Sequence, residues 1–248
     1  RNPFWRNPFW NPYNVSSAVM TQSTIEAALA SVLGRLAHDL KNPLAVIIAN
    51  LHFLEAVGNT DQREAASESS NAADRLNHMV NDLAQLEVWR SGSRRPLLEK
   101  VRLSDIGADI QPQIEPQLGS RQLSLSLSSD RVTTNRQLLG RVLFNLIEHG
   151  VRQTPARGTV SVDSTLLEGG GFDLRIRDHG PPFAVGHRPS ILCETLPERA
   201  EPPSGYRSDQ GLALFFAGVA ARALGAELDV NNVDEGGVLF LLHFPGSS

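Results

Sequence analysis

The chain has 248 residues, 41% of them hydrophobic and 20% charged, with a formal net charge of −4. These proportions suit a folded soluble protein with room for one large domain or two small ones, and the charge excludes a nucleic-acid footprint. One cysteine, Cys193, excludes an intrachain disulfide, in keeping with a reducing compartment.

Residues 1–20 are expected to be a tail. Arg1-Asn2-Pro3-Phe4-Trp5 repeats at once as Arg6-Asn7-Pro8-Phe9-Trp10, and its prolines exclude a regular helix. From Thr21 to Val57, Leu29, Leu33, Leu36, Leu40, Leu44, Ile47, Leu51 and Leu54 follow at spacings of three or four, which predicts a helix with a narrow apolar seam. Gly58-Asn59-Thr60-Asp61 predicts a turn. Gln62 to Trp89 predicts a second helix, with its seam at Leu76, Met79, Val80, Leu83 and Leu86. One such hairpin leaves its seams half covered, whereas two copies close a four-helix bundle, so residues 21–95 are expected to make a homodimer. No apolar run reaches the ~18 residues of a membrane span. The best stretch, Leu44 to Val57, is short and is interrupted by Asn50 and His52. No membrane contact is expected from this segment. Any sensor or membrane part is expected outside the chain, and the location is expected to be cytoplasmic.

After Pro96 the pattern changes. Leu123 to Leu127 alternates as a strand does. A helix is predicted over Arg136 to Gly150, and paired strands over Thr159 to Leu166 and Phe172 to Asp178 around Gly169-Gly170-Gly171. Pro181 to Ser208, rich in Pro, Gly and charge, predicts a long loop. Gly211 to Leu224 predicts a helix, and Ala226 to Val230 with Val238 to Phe244 a closing hairpin. The expected fold is therefore an α-helical hairpin followed, over residues 96–248, by an α+β sandwich.

His38 breaks the logic of the first helix. At about 100° per residue it lies roughly 200° from Leu36 and 160° from Leu40, so it points away from the seam and has no packing role. Asp39 puts a carboxylate beside it, suited to taking a proton from the imidazole. Asn42 shares its face, and its amide is suited to orienting a water. Pro43 deprives the carbonyl of Asp39 of its helical partner and lets the helix bend. His52, His78 and His243 have no such neighbours and are expected to be ordinary surface residues.

Leu36 to Leu44, with His38-Asp39-Leu40-Lys41-Asn42-Pro43 inside it, resembles the phosphoacceptor box of the sensor histidine kinases. The resemblance implies a dimer in which His38 is phosphorylated and passes phosphate to an aspartate in the receiver domain of a response regulator. It also implies that Asp39 acts as base and that Asn42 supports dephosphorylation of the regulator.

Val101 to Pro245 resembles the ATP-binding (Bergerat or GHKL-type) domain of the same family, which implies an α/β sandwich with ATP and Mg2+ as cofactors. The helix ending in Thr154-Pro155 matches the asparagine box. There Asn145 stands at the magnesium–triphosphate position and Arg152 at a phosphate-facing one. His149 replaces a second asparagine, and imidazole is a poor magnesium ligand. Asp178-His179-Gly180 matches the first glycine box, so Asp178 is expected to read the adenine amino group, with Gly180 beside it; Pro182 replaces a glycine. Gln210 to Leu214 matches the second glycine box, where only Gly211 remains and Asp209 and Ala213 crowd the phosphates. Pro181 to Ser208 matches the ATP lid. Three functions are open on the sequence: an ATP-dependent histidine kinase, an ATP-independent histidine phosphotransferase, and a pseudokinase scaffold.

Overall fold

A computed structural model describes residues 22–90, 95–183, 210–234 and 236–246. Two long helices open it, α1 (Gln22–Val57) and α2 (Thr60–Arg90). α2 begins two residues before the sequence expectation because Asn59 caps it. The Asn59 side chain accepts from Gln62 N, and the Gln62 side chain accepts from Asn59 N, both at 3.0 Å. This reciprocal pair satisfies two otherwise orphaned donors. α1 continues through Pro43 as one helix.

Where the two helices pack together, Leu44 of α1 and Ala66, Ala73 and Val80 of α2 are buried, the last three small or apolar residues at heptad spacing. Part of the seam is open in the single chain: Leu40, Ile47, Leu54 and Leu76 are exposed, while Leu51, Met79 and Leu83 are partly buried. Leu29, Leu33, Leu36 and Leu86 lie outside the described side chains. An open stripe of this kind is what a second hairpin would cover. Leu40→Asp would place an unpaired charge in that seam in both copies, costing roughly several kcal/mol. The expected outcome is a dimeric mass for the native protein in light scattering and a monomeric mass for the variant. A monomeric native protein at micromolar concentration would refute it.

The expectation that no run reaches a membrane span is corrected by α1. Leu40–Val57, 18 residues with mean hydropathy 1.2, is long and apolar enough to cross a membrane by length and composition. A run that starts at Leu44 falls short, but α1 carries Leu40 into the same stretch. Leu40, Ile47 and Leu54 of this stretch also form the bundle stripe.

The second unit runs β1 (Glu99–Arg102), α3 (Leu103–Leu118), β2 (Gln122–Ser126), β3 (Arg131–Thr134), α4 (Arg136–Gln153), β4 (Thr159–Leu166), β5 (Phe172–Arg177), α5 (Gln210–Ala223), β6 (Glu227–Asn232) and β7 (Val238–Phe244). β1 and β3 form an antiparallel pair, with Val101 opposite Val132. The other strands form one sheet in the order β2-β4-β5-β7-β6, antiparallel except for β2 alongside β4. Alternation decides which face is covered: Phe172, Leu174, Ile176, Phe240, Leu242 and Phe244 are buried, while Arg175 and His243 lie on the other side of the pleat. The helices α3, α4 and α5 complete the core. α3 is absent from the sequence expectation because Pro112 and Pro116 interrupt it. Both are exposed, and Leu103, Ile106, Ile110 and Ile114 hold its buried face, so packing outweighs the lost backbone donors.

Candidate functional site

α4 organises the site. Asn135 caps its start by accepting from Leu138 N at 2.9 Å, and Pro155 ends it, as a residue that cannot continue a helix does. Because the sheet, α3, α5 and α2 surround it, α4 is buried from Val142 to Val151, polar residues included.

At the sheet end stands Asp178, fully buried. Its Oδ1 accepts from Gly180 N at 2.8 Å and from Val238 N at 3.1 Å. Its backbone N–H donates to Val238 O at 3.0 Å. Its Oδ2 is buried and has no hydrogen-bond partner. An orphaned acceptor in such a place asks for a ligand donor. Burial pushes the carboxyl above its ordinary range, while the N–H groups of Gly180 and Val238 pull it back. Two glycines make the cup. Gly237 has φ +100°, and a Cβ there would collide with the backbone oxygen of Asp178; a Cβ on Gly180 would lie 2.5 Å from the Cβ of Gln153. Thr154 ties the cup to α4, its hydroxyl accepting from His179 N at 3.2 Å.

His149 is also buried, 6.0 Å from Phe183 in a stacked pair and 5.5 Å from Phe240 edge-on. Asn232 fixes Phe183 by two hydrogen bonds to its backbone, each of 2.9 Å. Burial, then the charge of Arg152, lowers the imidazole to about 4, so it is neutral at pH 7. Between about 4 and 6.5 the unfolded chain therefore takes up a proton that the folded chain refuses, and stability falls as pH drops through that window. For His149 the loss from pH 7 to pH 5 is about 2 kcal/mol. His149→Asn should reduce the pH dependence of denaturant unfolding by that amount. An identical dependence in the variant would refute the assignment.

At the other side of α4 sits a contact that the sequence did not disclose. Asp82 of α2 is buried. Arg141 Nε donates to its Oδ1 at 2.6 Å, and Asn145 Nδ2 donates to its Oδ2 at 2.9 Å. Arg141 also reaches the carbonyl of His78 at 2.8 Å and its ring Nδ1, and lies over Phe144. His78 is thus no surface residue: burial and Arg141 lower it to about 4. His243 also has a partner, with Nδ1 2.7 Å from Asp173. His78, Met79 and Asp82 form one wall of a small cleft whose other walls are Asn145, Glu148, Arg152 and Ala213. Within it Arg152 bonds Glu148 at 2.5 Å.

The cleft thus unites Asn145, Arg152 and Ala213, while Asp178 and Gly180 form the cup. Asn42 is exposed on α1. The side chains of His38 and Asp39, the surroundings of Gly211, and residues 184–209 with most of the lid, Asp209 and Cys193 lie outside the described residues. The missed residues are His78, Asp82, Arg141, Gly237 and Asn232. Of these only Gly237, beside Gly236, carried a signal.

The chemistry of the cup suits an adenine base, because the partnerless Oδ2 of Asp178 can accept from an exocyclic amine. For magnesium the Asn145 amide keeps its oxygen, since only its nitrogen is given to Asp82, whereas the His149 imidazole that packs against Phe183 and Phe240 offers no oxygen. Among the described residues no three His, Cys, Asp or Glu side chains group as a metal site.

A hairpin bearing a phosphoacceptor box, followed by this sandwich, defines a protein-histidine kinase core. The His Kinase A (phospho-acceptor) domain family matches residues 28–92, and the histidine kinase-, DNA gyrase B- and HSP90-like ATPase family matches residues 134–248. The two matches, in this order, support a bacterial sensor histidine kinase core. It is 29% identical over 222 residues to the swarming motility regulation sensor protein RssA of Serratia marcescens, covering 85% of this chain and 45% of that one. It is 30% identical over 218 residues to the sensor protein CseC of Streptomyces coelicolor, covering 87% and 38%. The chain thus spans less than half the length of these relatives. Among solved structures, full-length ShkA in complex with AMPPNP has the same fold at TM-score 0.64 and 20% identity, covering 88% of this chain and 46% of that one. The Acinetobacter baumannii histidine kinase AdeS has it at TM-score 0.56 and 18% identity, covering 85% and 98%.

Proposed function

We propose that this core takes the γ-phosphoryl group of ATP onto His38 and passes it to the receiver aspartate of a response regulator, working as a homodimer in the cytoplasm. The observation that carries the nucleotide half is the orphaned Oδ2 of Asp178, an acceptor buried in a glycine-built cup. His38 supplies a neutral imidazole nitrogen as nucleophile, and Asp39 accepts the proton from the other ring nitrogen. ATP would supply the phosphoryl group, the bond between its γ-phosphorus and the bridging oxygen breaking as the bond to the His38 nitrogen forms, with ADP as the leaving group. Arg152 and Asn145 face its phosphates, and Gly211 lets the backbone of α5 approach them. Asn42 orients the water that removes phosphate from the regulator, a role for an amide that has no strong basicity. The test is incubation with labelled ATP, with and without magnesium, followed by assay for acid-labile phosphate and for its transfer to a receiver domain. Regulator dephosphorylation by the native chain and by Asn42→Ala reads the last role. Absence of label with ATP, together with uptake from a phosphorylated receiver domain, would favour the phosphotransferase.

A further inference from the structure

We infer that Asp82 is an internal stand-in for the nucleotide's phosphates: its carboxylate occupies Arg141 and Asn145, and a polyphosphate must displace it to bind there. The inference rests on the nucleotide reading of the sandwich and goes beyond it by adding Arg141 as a phosphate-binding residue and α2 as a competitor.

The geometry is that of anion recognition. Both oxygens of Asp82 are taken, one by the guanidinium Nε at 2.6 Å and one by the Asn145 amide at 2.9 Å. A guanidinium and an amide that hold a carboxylate in this way present the same donors to a phosphate. The pair joins two separately built units, the hairpin and the sandwich. Leu83 and Trp89 of α2 pack beside it against the sandwich core. α2 is thus a wall supplied by the hairpin and not part of the sandwich itself, and loading a polyphosphate requires it to move away.

Charge makes the two occupants exclusive. With α2 docked, the cleft holds Asp82 and Glu148; Arg152, which lines it, is paired with Glu148, and Arg141, which is not among the lining residues, is paired with Asp82. Among the described residues, a triphosphate entering that cleft would meet two carboxylates and two guanidinium groups already paired with them. With α2 released, Arg141 and Asn145 both face the incoming anion. Docked and loaded states thus compete for the same two side chains, and the measured affinity for a polyphosphate falls by the fraction of molecules that are undocked. The adenine cup does not include Asp82, so recognition of the base alone escapes this competition.

The test compares ATP with adenosine. Asp82→Asn keeps the shape and removes the charge. In calorimetry it should tighten ATP binding about ten-fold, corresponding to roughly one undocked molecule in ten in the native protein, and leave adenosine unchanged. Adding Arg141→Gln to Asp82→Asn should remove the gain. Asp82→Ala, with unfolding midpoints and native mass recorded for every variant, guards against a folding artefact. Unchanged ATP affinity with adenosine still binding would overturn the stand-in while sparing the nucleotide reading. An equal gain for ATP and adenosine would also overturn it, because phosphate would not be the competitor. If neither ligand binds any variant, the nucleotide reading fails and the inference falls with it.

Discussion

His38→Gln takes up no phosphate, from ATP or from a phosphorylated receiver domain, while folding and dimerising as the native chain does. Glutamine has a similar length and polarity but no nucleophilic ring nitrogen, so the loss is of chemistry alone. Helical geometry turns residue 38 away from the seam that Leu40 and Leu44 define, and Asn42, one turn on, is exposed. A side chain on that face should change stability by no more than about 0.5 kcal/mol. The transfer itself should fall below detection, because among the described residues no other histidine combines an outward helical position with an adjoining carboxylate. His52 lacks the acid, His78 is locked against Arg141, and His149 is enclosed by Phe183 and Phe240. Label retained in His38→Gln would place the phosphoacceptor elsewhere. The double assay matters because a phosphotransferase that ignores ATP would lose only the reverse reaction.

The hairpin was legible because its seams repeat at three and four residues, and the strands β4, β5 and β7 because they alternate. Asp178 stood out because it ends a predicted strand in Asp178-His179-Gly180, and its adenine role was implied only by the resemblance to the first glycine box. What escaped detection depends on packing between segments distant in sequence. α3 carries two prolines, and only the buried face formed by Ile106, Ile110 and Ile114 reveals it as a helix. Asp82 looks like any polar residue of a surface helix, and it is buried because α4 presents Arg141 and Asn145, residues some sixty positions away. His78 was misread for the same reason. His149 packs its ring against Phe183 and Phe240, and its Nδ1 is buried without a hydrogen-bond partner.

Asp178→Asn weakens ATP binding by about ten- to a hundred-fold, the equivalent of one lost charge-assisted hydrogen bond at ~1.5–3 kcal/mol. The substitution isolates a single atom. The new amide keeps a carbonyl oxygen where the native Oδ1 accepts from Gly180 N and Val238 N at 2.8 and 3.1 Å, so the cup's own bonds survive. At the Oδ2 position, which in the native chain is a buried acceptor without a partner, it places an NH2 group. That group donates and cannot accept, so it opposes the adenine amino group. A base with a carbonyl at that position should lose less, and inosine triphosphate is the matched probe. Calorimetry with ATP, adenosine and inosine triphosphate on both proteins tests this, with an unfolding curve to confirm that the cup holds. Adenosine should weaken by the same factor as ATP, because the lost contact is to the base and not to the phosphates. ATP affinity unchanged by Asp178→Asn would remove Asp178 as the adenine reader, and the ATP-dependent reading of the domain would then lose the observation on which it rests.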